Sequence, residues 1–462
     1  MPESSPAPAP VRRRTVVDRG GAWCVVGAGP HGLSALKALL QHGLDADGYE
    51  RATDLGGNWN FGAPTSRVYE STHLISSKPF TQFPDFPMPD SYPDYPSHRQ
   101  VKDYFARYAD HFGLRDRITF GAEVVGAEPV DDGAAWLVTV KAGRRQTTYR
   151  YAGLVVANGH NWNPKIPGYE GLSEFRGTVL HSADYKGPDV LRGKRVLVVG
   201  AGNTGCDVAV ESAQNAARTW HSTRRGYYYN PKFTMGRPSD QVADSLLALR
   251  IPLAMRRVLF STTLKVAVGD LTRFGLKRPD HRFFETHPII NQQLVYYVGQ
   301  GDIAPVDDVA RFDADGAVLT DGSRADVDVV VLCTGYLVAF PFLEQEWLNW
   351  HGDHPQLFLQ MFTPSFENLV VSGLIQPDSG QWTLAHWQGV LVARVAEALR
   401  DDPARARGFL SRAPHEAGRR YSAGATYKDS TRHYYEVAHQ DYLAALQDAI
   451  RELETHGARR TA

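Results

Sequence analysis

Cysteine is nearly missing. Cys24, Cys206 and Cys333 are the only three in 462 residues. They form no CxxC or CxxxxC pair, which argues against a disulfide framework, a zinc site and a dithiol redox centre. A surplus of charge is missing as well. Lysine and arginine number 50 against 51 aspartate and glutamate, so no polyanionic partner is implied and nucleic-acid binding is not expected. No apolar run approaches the length of a membrane span, so no membrane partner is expected either. The apolar stretch after residue 20 is a strand and turn, without the cleavage site of a signal peptide. The opening MPESSPAPAPVRRRTVVDRG reads as a disordered tail, residues 1–20, on a cytoplasmic protein. What remains is a globular composition in a chain too long for one core, so two domains are expected.

Two segments then stand out. Trp23–Val26 is a short apolar run followed by Gly27, Gly29, Pro30, His31 and Gly32, and SALKALLQHG continues as a helix ending near Gly43. The spacing GxGxxG has a mechanical reason. The first glycine makes the tight turn, the second lets backbone approach a pyrophosphate, and the third allows close helix–strand packing, with helix-start amides facing the phosphates. Glu50, beside Arg51, follows Gly32 by eighteen residues, where a carboxylate accepts hydrogen bonds from ribose hydroxyls. The second copy runs Val196–Val199, then Gly200, Gly202, Asn203, Thr204 and Gly205, then a helix. Where the first has Glu50, this one offers Ser222, Thr223, Arg224 and Arg225. A guanidinium pairs with a 2′-phosphate that a carboxylate would repel. The first site therefore suits an unphosphorylated ribose and the second suits NADPH. A flavin and a nicotinamide are the natural pair for electron exchange.

The segment EFRGTVLHSADYK, just before the second turn, matches FxGxxxHxxxY at Phe175, Gly177, His181 and Tyr185. On this motif the chain resembles the class B flavin-containing monooxygenases. Further landmarks in register strengthen the resemblance: YERATDLGGNW, FPDFPMPDSYPDYPSHRQ, VVANGHNWNPKIPG, LTDGSRADVDVVVLCTGY and FENLVVSGLIQP, spanning roughly Trp23 to Glu397. The resemblance implies an α/β fold of two Rossmann-like domains, with the NADPH domain inserted into the FAD domain. Residues 21–188 and 337–462 would form the FAD domain. Residues 189–336 would form the NADPH domain, with a helical insertion at about 227–299 that reads as packed core or, as the alternative, as a lining of the substrate path. A helix would close the chain near Gly457.

The same resemblance implies roles. The FxGxxxHxxxY segment is a hinge, in which Gly177 supplies backbone freedom and His181 hydrogen-bonds across the crossover rather than moving protons. Thr334, Gly335 and Tyr336 are the return crossover. Gly56, Gly57, Asn58 and Trp59 match the flavin-proximal GGxW element, and Gln388 matches a glutamine near the flavin ring. The implied reaction has NADPH reduce FAD and O2 add at flavin C4a. The hydroperoxide then oxygenates an amine nitrogen or a thioether sulfur of a small molecule. Ketone oxygenation of the Baeyer–Villiger type stays open, although its enzymes carry tryptophan where this chain has Tyr185. A homodimer also stays open.

One departure matters. Relatives read an asparagine three residues before the lysine of an SSK element, and aligning on Lys78 puts Ile75 there. That removes an amide donor from the site implied for the nicotinamide ribose and the flavin adduct. His73, two residues earlier on an extended segment, points to the same face, so His73 with Thr72 or Ser76 is the expected substitute. Without one, the expectation is an uncoupled NADPH oxidase.

Overall fold

The computed structural model describes residues 16–248, 251–428 and 433–458. Two five-stranded sheets organise the chain. The first has the strand order Leu369–Val371, Gly153–Val156, Trp23–Val26, Ala46–Glu50, Ile118–Phe120, all parallel. The second runs Thr178–His181, Val329–Leu332, Arg195–Val199, Arg218–Ser222, Ile303–Val306, again all parallel. The central strands are the unbroken apolar runs WCVV, GLVV, VVVL and VLVV. Nearly all their side chains are buried, as parallel strands covered on both faces require. In each sheet the middle strand feeds one of the two glycine turns.

Helix Pro30–Gln41 lies against helix Trp382–Asp401. At the crossing a Cβ on Gly389 would come 2.7 Å from the Ser34 carbonyl oxygen, and the Ser34 hydroxyl donates to the Ala385 carbonyl at 2.9 Å. The last helix, His439–Ala458, buries Tyr442, Leu446, Ile450 and Leu453 against the same long helix. A four-stranded layer, Val16–Asp18, Arg145–Tyr151, Ala135–Ala142, Ala122–Val130, flanks the first sheet.

Three expectations change. Residues 1–15 of the expected tail lie outside the described residues, but Val16–Asp18 forms a strand paired with Thr148–Arg150, so the disordered tail cannot extend to residue 20. Thr178–His181 is an edge strand of the second sheet, so the second unit begins before residue 178 rather than at 189. Within 227–299, helix Leu253–Val268 buries no residue completely and leaves Met255 62% and Val266 83% exposed. Its apolar residues divide between a cavity wall and the outside, so it is not core.

The chain passes between the units twice, and the two crossings are hydrogen-bonded together. Asn163–Pro164 pairs with Tyr336–Leu337, the Lys165 amide donates to the Gly335 carbonyl at 2.9 Å, and the Thr334 hydroxyl donates to the Lys165 carbonyl at 2.5 Å.

Candidate active site

At the first turn Gly27 has φ +104°, and a Cβ there would sit 2.6 Å from the Ala157 carbonyl oxygen. A Cβ on Gly32 would come within 1.9 Å of the Gly27 carbonyl oxygen. The helix starts at Pro30 with no side-chain cap, which leaves its first amides to an outside acceptor. Gly29 and Gly57 face each other closely enough that a Cβ on Gly57 would be 3.2 Å from the Gly29 Cα. Glu50 is buried. Its two carboxylate oxygens accept from the Ala28 and Ala52 amides, each at 2.8 Å, and still hold lone pairs for ribose hydroxyls. Arg51 lines the same site, its guanidinium 4.9 Å from the Trp162 ring centre.

A cavity of about 180 Å³ runs past Gly27, Glu50, Asn58, Trp59, His160 and Trp382. His31 and His160 are buried there. Burial, and for His31 also the neighbouring His160, lowers them to about 3 and about 4, so both are neutral at ordinary pH. Neither ring nitrogen of His31 has a well-aligned hydrogen bond within the protein, Gln388 being the polar side chain beside it. An acidic ribose end, a glycine-lined phosphate turn and unsatisfied polar atoms in the wall are what FAD requires, so the residues fit it.

The second turn repeats the geometry. Gly200 has φ +115° with the Cys333 carbonyl oxygen 2.4 Å from the Cβ position, and a Cβ on Gly205 would lie 1.9 Å from the Gly200 carbonyl oxygen. Helix Asn203–Asn215 is likewise uncapped by a side chain. The four residues expected at the 2′-phosphate do not act alike. The Ser222 hydroxyl is buried and donates to the Asp307 carbonyl at 2.8 Å, and Thr223 is buried as well. Arg225 is paired with Asp280 at 3.0 Å. Arg224 is exposed and makes no hydrogen bond or ion pair with the described residues. A phosphorylated ribose therefore fits beside Arg224. Losing a charge-assisted contact weakens binding by about 1.5–3 kcal/mol. Arg224→Ala is accordingly expected to raise the NADPH dissociation constant at least tenfold and to leave that for NADH nearly unchanged, as measured by titration of the oxidised protein.

Sequence reasoning missed two supports of this turn. The Nζ of Lys277 donates to the Thr223 carbonyl at 2.7 Å and lies 2.8 Å from Asp307. His221 is buried, with its Nε2 2.9 Å from the Gly200 carbonyl oxygen. Lys277 is fifty-four residues from its partner, and no local pattern signals that pairing.

A much larger cavity, about 1160 Å³, opens against both units. Ile75, Ser76 and Phe80 enter from the first, Ile290 and Gln292 from the second, and aromatic rings such as Tyr95, Tyr228 and Phe260 line much of it. A shared wall separates it from the smaller cavity. Asp378 and Ser379 face the large one, Gln381 and Trp382 the small one, and between them Gly380 is pressed so close to Phe80 that a Cβ would meet its carbonyl oxygen at 2.0 Å.

Several expected roles move. His73 is exposed and outside both cavities, with Nδ1 2.8 Å from the Ser71 carbonyl oxygen, because its turn pairs with Ser97 at the surface. It does not replace the amide missing at Ile75. The Lys78 ammonium donates to the carbonyls of Pro89, Asp90 and Tyr92 at 3.2, 3.3 and 3.0 Å, so it fastens a loop instead of facing the site. Gln388 is fully buried. It donates to the Tyr442 hydroxyl at 2.7 Å and accepts from the Gly373 amide at 3.0 Å, supporting the cavity wall from behind.

In the hinge, Gly177 does not need a left-handed backbone. It needs space, since a Cβ would lie 2.4 Å from the Asp328 carbonyl oxygen. Phe175 packs on Phe312. His181 is buried, which lowers its pKa, and its Nδ1 accepts from the Ala183 amide at 3.0 Å. That bond belongs to the turn after the edge strand, but the ring also faces the return crossover as expected, 5.4 Å from the Tyr336 ring and against the Gly335 backbone. The Tyr185 hydroxyl donates to Glu211 inside the second unit, so its identity reaches the reaction only through the hinge.

A family model described as FMO-like, flavin-binding monooxygenase-like, matches residues 22–456. A protein named flavin-containing monooxygenase 5 from Mus musculus is 33% identical over 444 residues, covering 92% of this chain and 82% of its own. Dimethylaniline monooxygenase [N-oxide-forming] 2 of Oryctolagus cuniculus is 30% identical over 391 residues, covering 81% and 73%. Among solved structures, the open form of cyclohexanone monooxygenase superposes with a TM-score of 0.69 over 95% of this chain and 98% of that one. At 19% identity it shares the fold alone.

Proposed function

The chain belongs to the flavin-binding monooxygenase-like family, whose members depend on FAD and NADPH. On that premise we propose that it oxygenates the amine nitrogen or thioether sulfur of an apolar small molecule bound in the 1160 Å³ cavity. Bound FAD would supply the redox chemistry between NADPH and O2. The chain's own residues do the rest. Glu50 and the Gly27–Gly32 turn hold one coenzyme, and Arg224 with the Gly200–Gly205 turn holds the other. The aromatic walls keep water from the reacting centre. A soft nucleophile already carries its reacting lone pair, so no protein base has to act on it.

The observation that carries this reading is that one cavity receives Ile75 and Ser76 from the flavin unit and Ile290 and Gln292 from the nicotinamide unit. The test begins with purified protein, expected to be yellow and to bleach with NADPH under argon. Admitting air with N,N-dimethylaniline or a methyl aryl sulfide should then give a product one oxygen heavier. Bleaching without any oxygenated amine or sulfide would overturn the substrate class.

Ile75 supports a second reading, uncoupled NADPH oxidation, because His73 does not supply the missing donor and the Ser76 hydroxyl in the same cavity is engaged with the Thr81 hydroxyl at 2.8 Å. One lost hydrogen bond corresponds to about 1–3 kcal/mol. Ile75→Asn is therefore expected to lower H2O2 formed per NADPH at least fivefold while flavin reduction keeps its rate. An unchanged ratio would show that Ile75 has no part in coupling. No helix among the described residues is long and apolar enough to cross a membrane.

A further inference from the structure

The helix that begins at the second glycine turn grips both sides of the large cavity. From its first turn, the Asn203 amide donates to the Pro288 carbonyl at 3.2 Å, and its oxygen accepts from the Ile290 amide at 2.8 Å. One turn on, Asp207 takes two hydrogen bonds with its two oxygens, from Asn291 Nδ2 at 2.7 Å and from the Tyr69 hydroxyl at 2.6 Å. Asn291 sits within the 288–292 segment, which contributes Pro288, Ile290 and Gln292 to the cavity. Tyr69 begins the segment that ends at Ile75 and Ser76 on the other wall.

This second segment comes from the flavin unit, yet it is stitched to the nicotinamide unit along its length. Lys186 donates to the Ser66 carbonyl at 2.9 Å and its own carbonyl accepts from the Glu70 amide at 2.9 Å. Lys232 reaches the Leu74 carbonyl at 3.3 Å, and the Ser77 amide donates to Asp240 at 2.6 Å. The Tyr69 and Tyr185 rings lie 5.7 Å apart, their hydroxyls on Asp207 and Glu211, one helical turn from each other.

We infer that Asp207 is a positioning residue which, through Tyr69 and Asn291, ties occupancy of the nicotinamide site to the shape of the substrate cavity. The inference rests on the reading of the second turn as the NADPH site. Asp207 touches neither cavity. It acts because the helix it stands on begins at the coenzyme phosphates, and because its two oxygens hold one residue of each wall segment. Binding that settles the helix start therefore settles both walls together.

The test is a ratio. The dissociation constant of N,N-dimethylaniline for the oxidised, FAD-loaded protein is measured with and without saturating NADP⁺, and FAD content and circular dichroism confirm that each variant is folded. In the parent, NADP⁺ is expected to tighten probe binding at least about fivefold, the lower end of ordinary site–site coupling. Tyr69→Phe removes one oxygen atom and breaks one arm. Asp207→Ala removes both acceptors at once, whereas Asp207→Asn can keep both arms, its oxygen accepting from Asn291 and its amide donating to the Tyr69 hydroxyl. Tyr69→Phe and Asp207→Ala are each expected to bring the ratio to within twofold of one, and the double variant should add little. A weakening that is merely structural would move both dissociation constants and leave their ratio. A ratio near one in the parent, or a parental ratio kept in Tyr69→Phe, overturns the inference while NADP⁺ binding stands. Failure of the parent to bind NADP⁺ overturns the coenzyme assignment beneath it.

Discussion

Gly205→Ala protein should stay yellow and stop responding to NADPH, and Gly32→Ala protein should be colourless. The two residues hold equivalent places in the two turns, and in both a single methyl would come within 1.9 Å of the carbonyl oxygen of the first glycine. No rotamer relieves that contact, because a Cβ has none and the obstacle is backbone. The helix start must retreat from the turn, and the amides that meet a pyrophosphate retreat with it. At Gly205 the damage stays in the second unit, whose sheet is its own and whose core takes Tyr69 from the first, so flavin should bind normally while its anaerobic reduction by NADPH falls at least a hundredfold. At Gly32 flavin retention itself should fail. Flavin per protein after gel filtration and the stopped-flow reduction rate read the two effects separately. A Gly205→Ala enzyme that bleaches at the parental rate would remove the second turn from coenzyme binding altogether.

What could be read from the sequence follows from how local each signal is. Both turns were legible because a strand, three glycines and a helix occupy consecutive residues, and each glycine has its own steric reason. Glu50 was legible for the same cause, one strand further on. The residues at 222–225 were legible as a set but not one by one. Nothing local says that Asp280, fifty-five residues on, occupies Arg225 and leaves Arg224 open. His73 failed for a related reason. Two-residue periodicity holds only while a strand stays extended, and the chain from Ser71 to Ser77 is a turn and loop with a single bridge to Ser97. The helix Leu253–Val268 misled by composition. Apolar residues at the spacing of a packed helix pair read first as core, yet here one side lines a cavity, the alternative reading, and another is exposed.

Asp85→Ala should be among the most destabilising single changes in the flavin unit. Lys37 stands on the helix that follows the first turn and is only 2% exposed. Its ammonium pairs with Asp85 and lies 5.0 Å from the Phe112 ring centre, and His386 Nδ1 approaches the other Asp85 oxygen at 3.2 Å. Asp85 comes from the segment around Phe83, whose ring stacks on Tyr108 at 4.2 Å. The pair thus pins that segment to the helix. Removing the carboxylate leaves a buried ammonium without its counter-charge, a loss of about 3–5 kcal/mol, large beside the roughly 5–15 kcal/mol of a typical domain. Lys37→Met should cost less, because Asp85 is part-exposed and keeps His386. The double variant Lys37→Met with Asp85→Asn should recover much of the loss, since no unpaired charge is left buried. Burial alone would push the Asp85 carboxyl up, but His386 and Lys37 together hold it well below the usual carboxylate range. Its folded pKa is therefore depressed, and the stability it contributes is full above the unfolded value of about 3.9 and fades as pH falls beneath it. Melting curves of parent and Asp85→Ala should stay far apart from pH 5 to 8 and converge below about pH 4. A gap that persists undiminished in acid would mean that Asp85 acts through packing and not through charge.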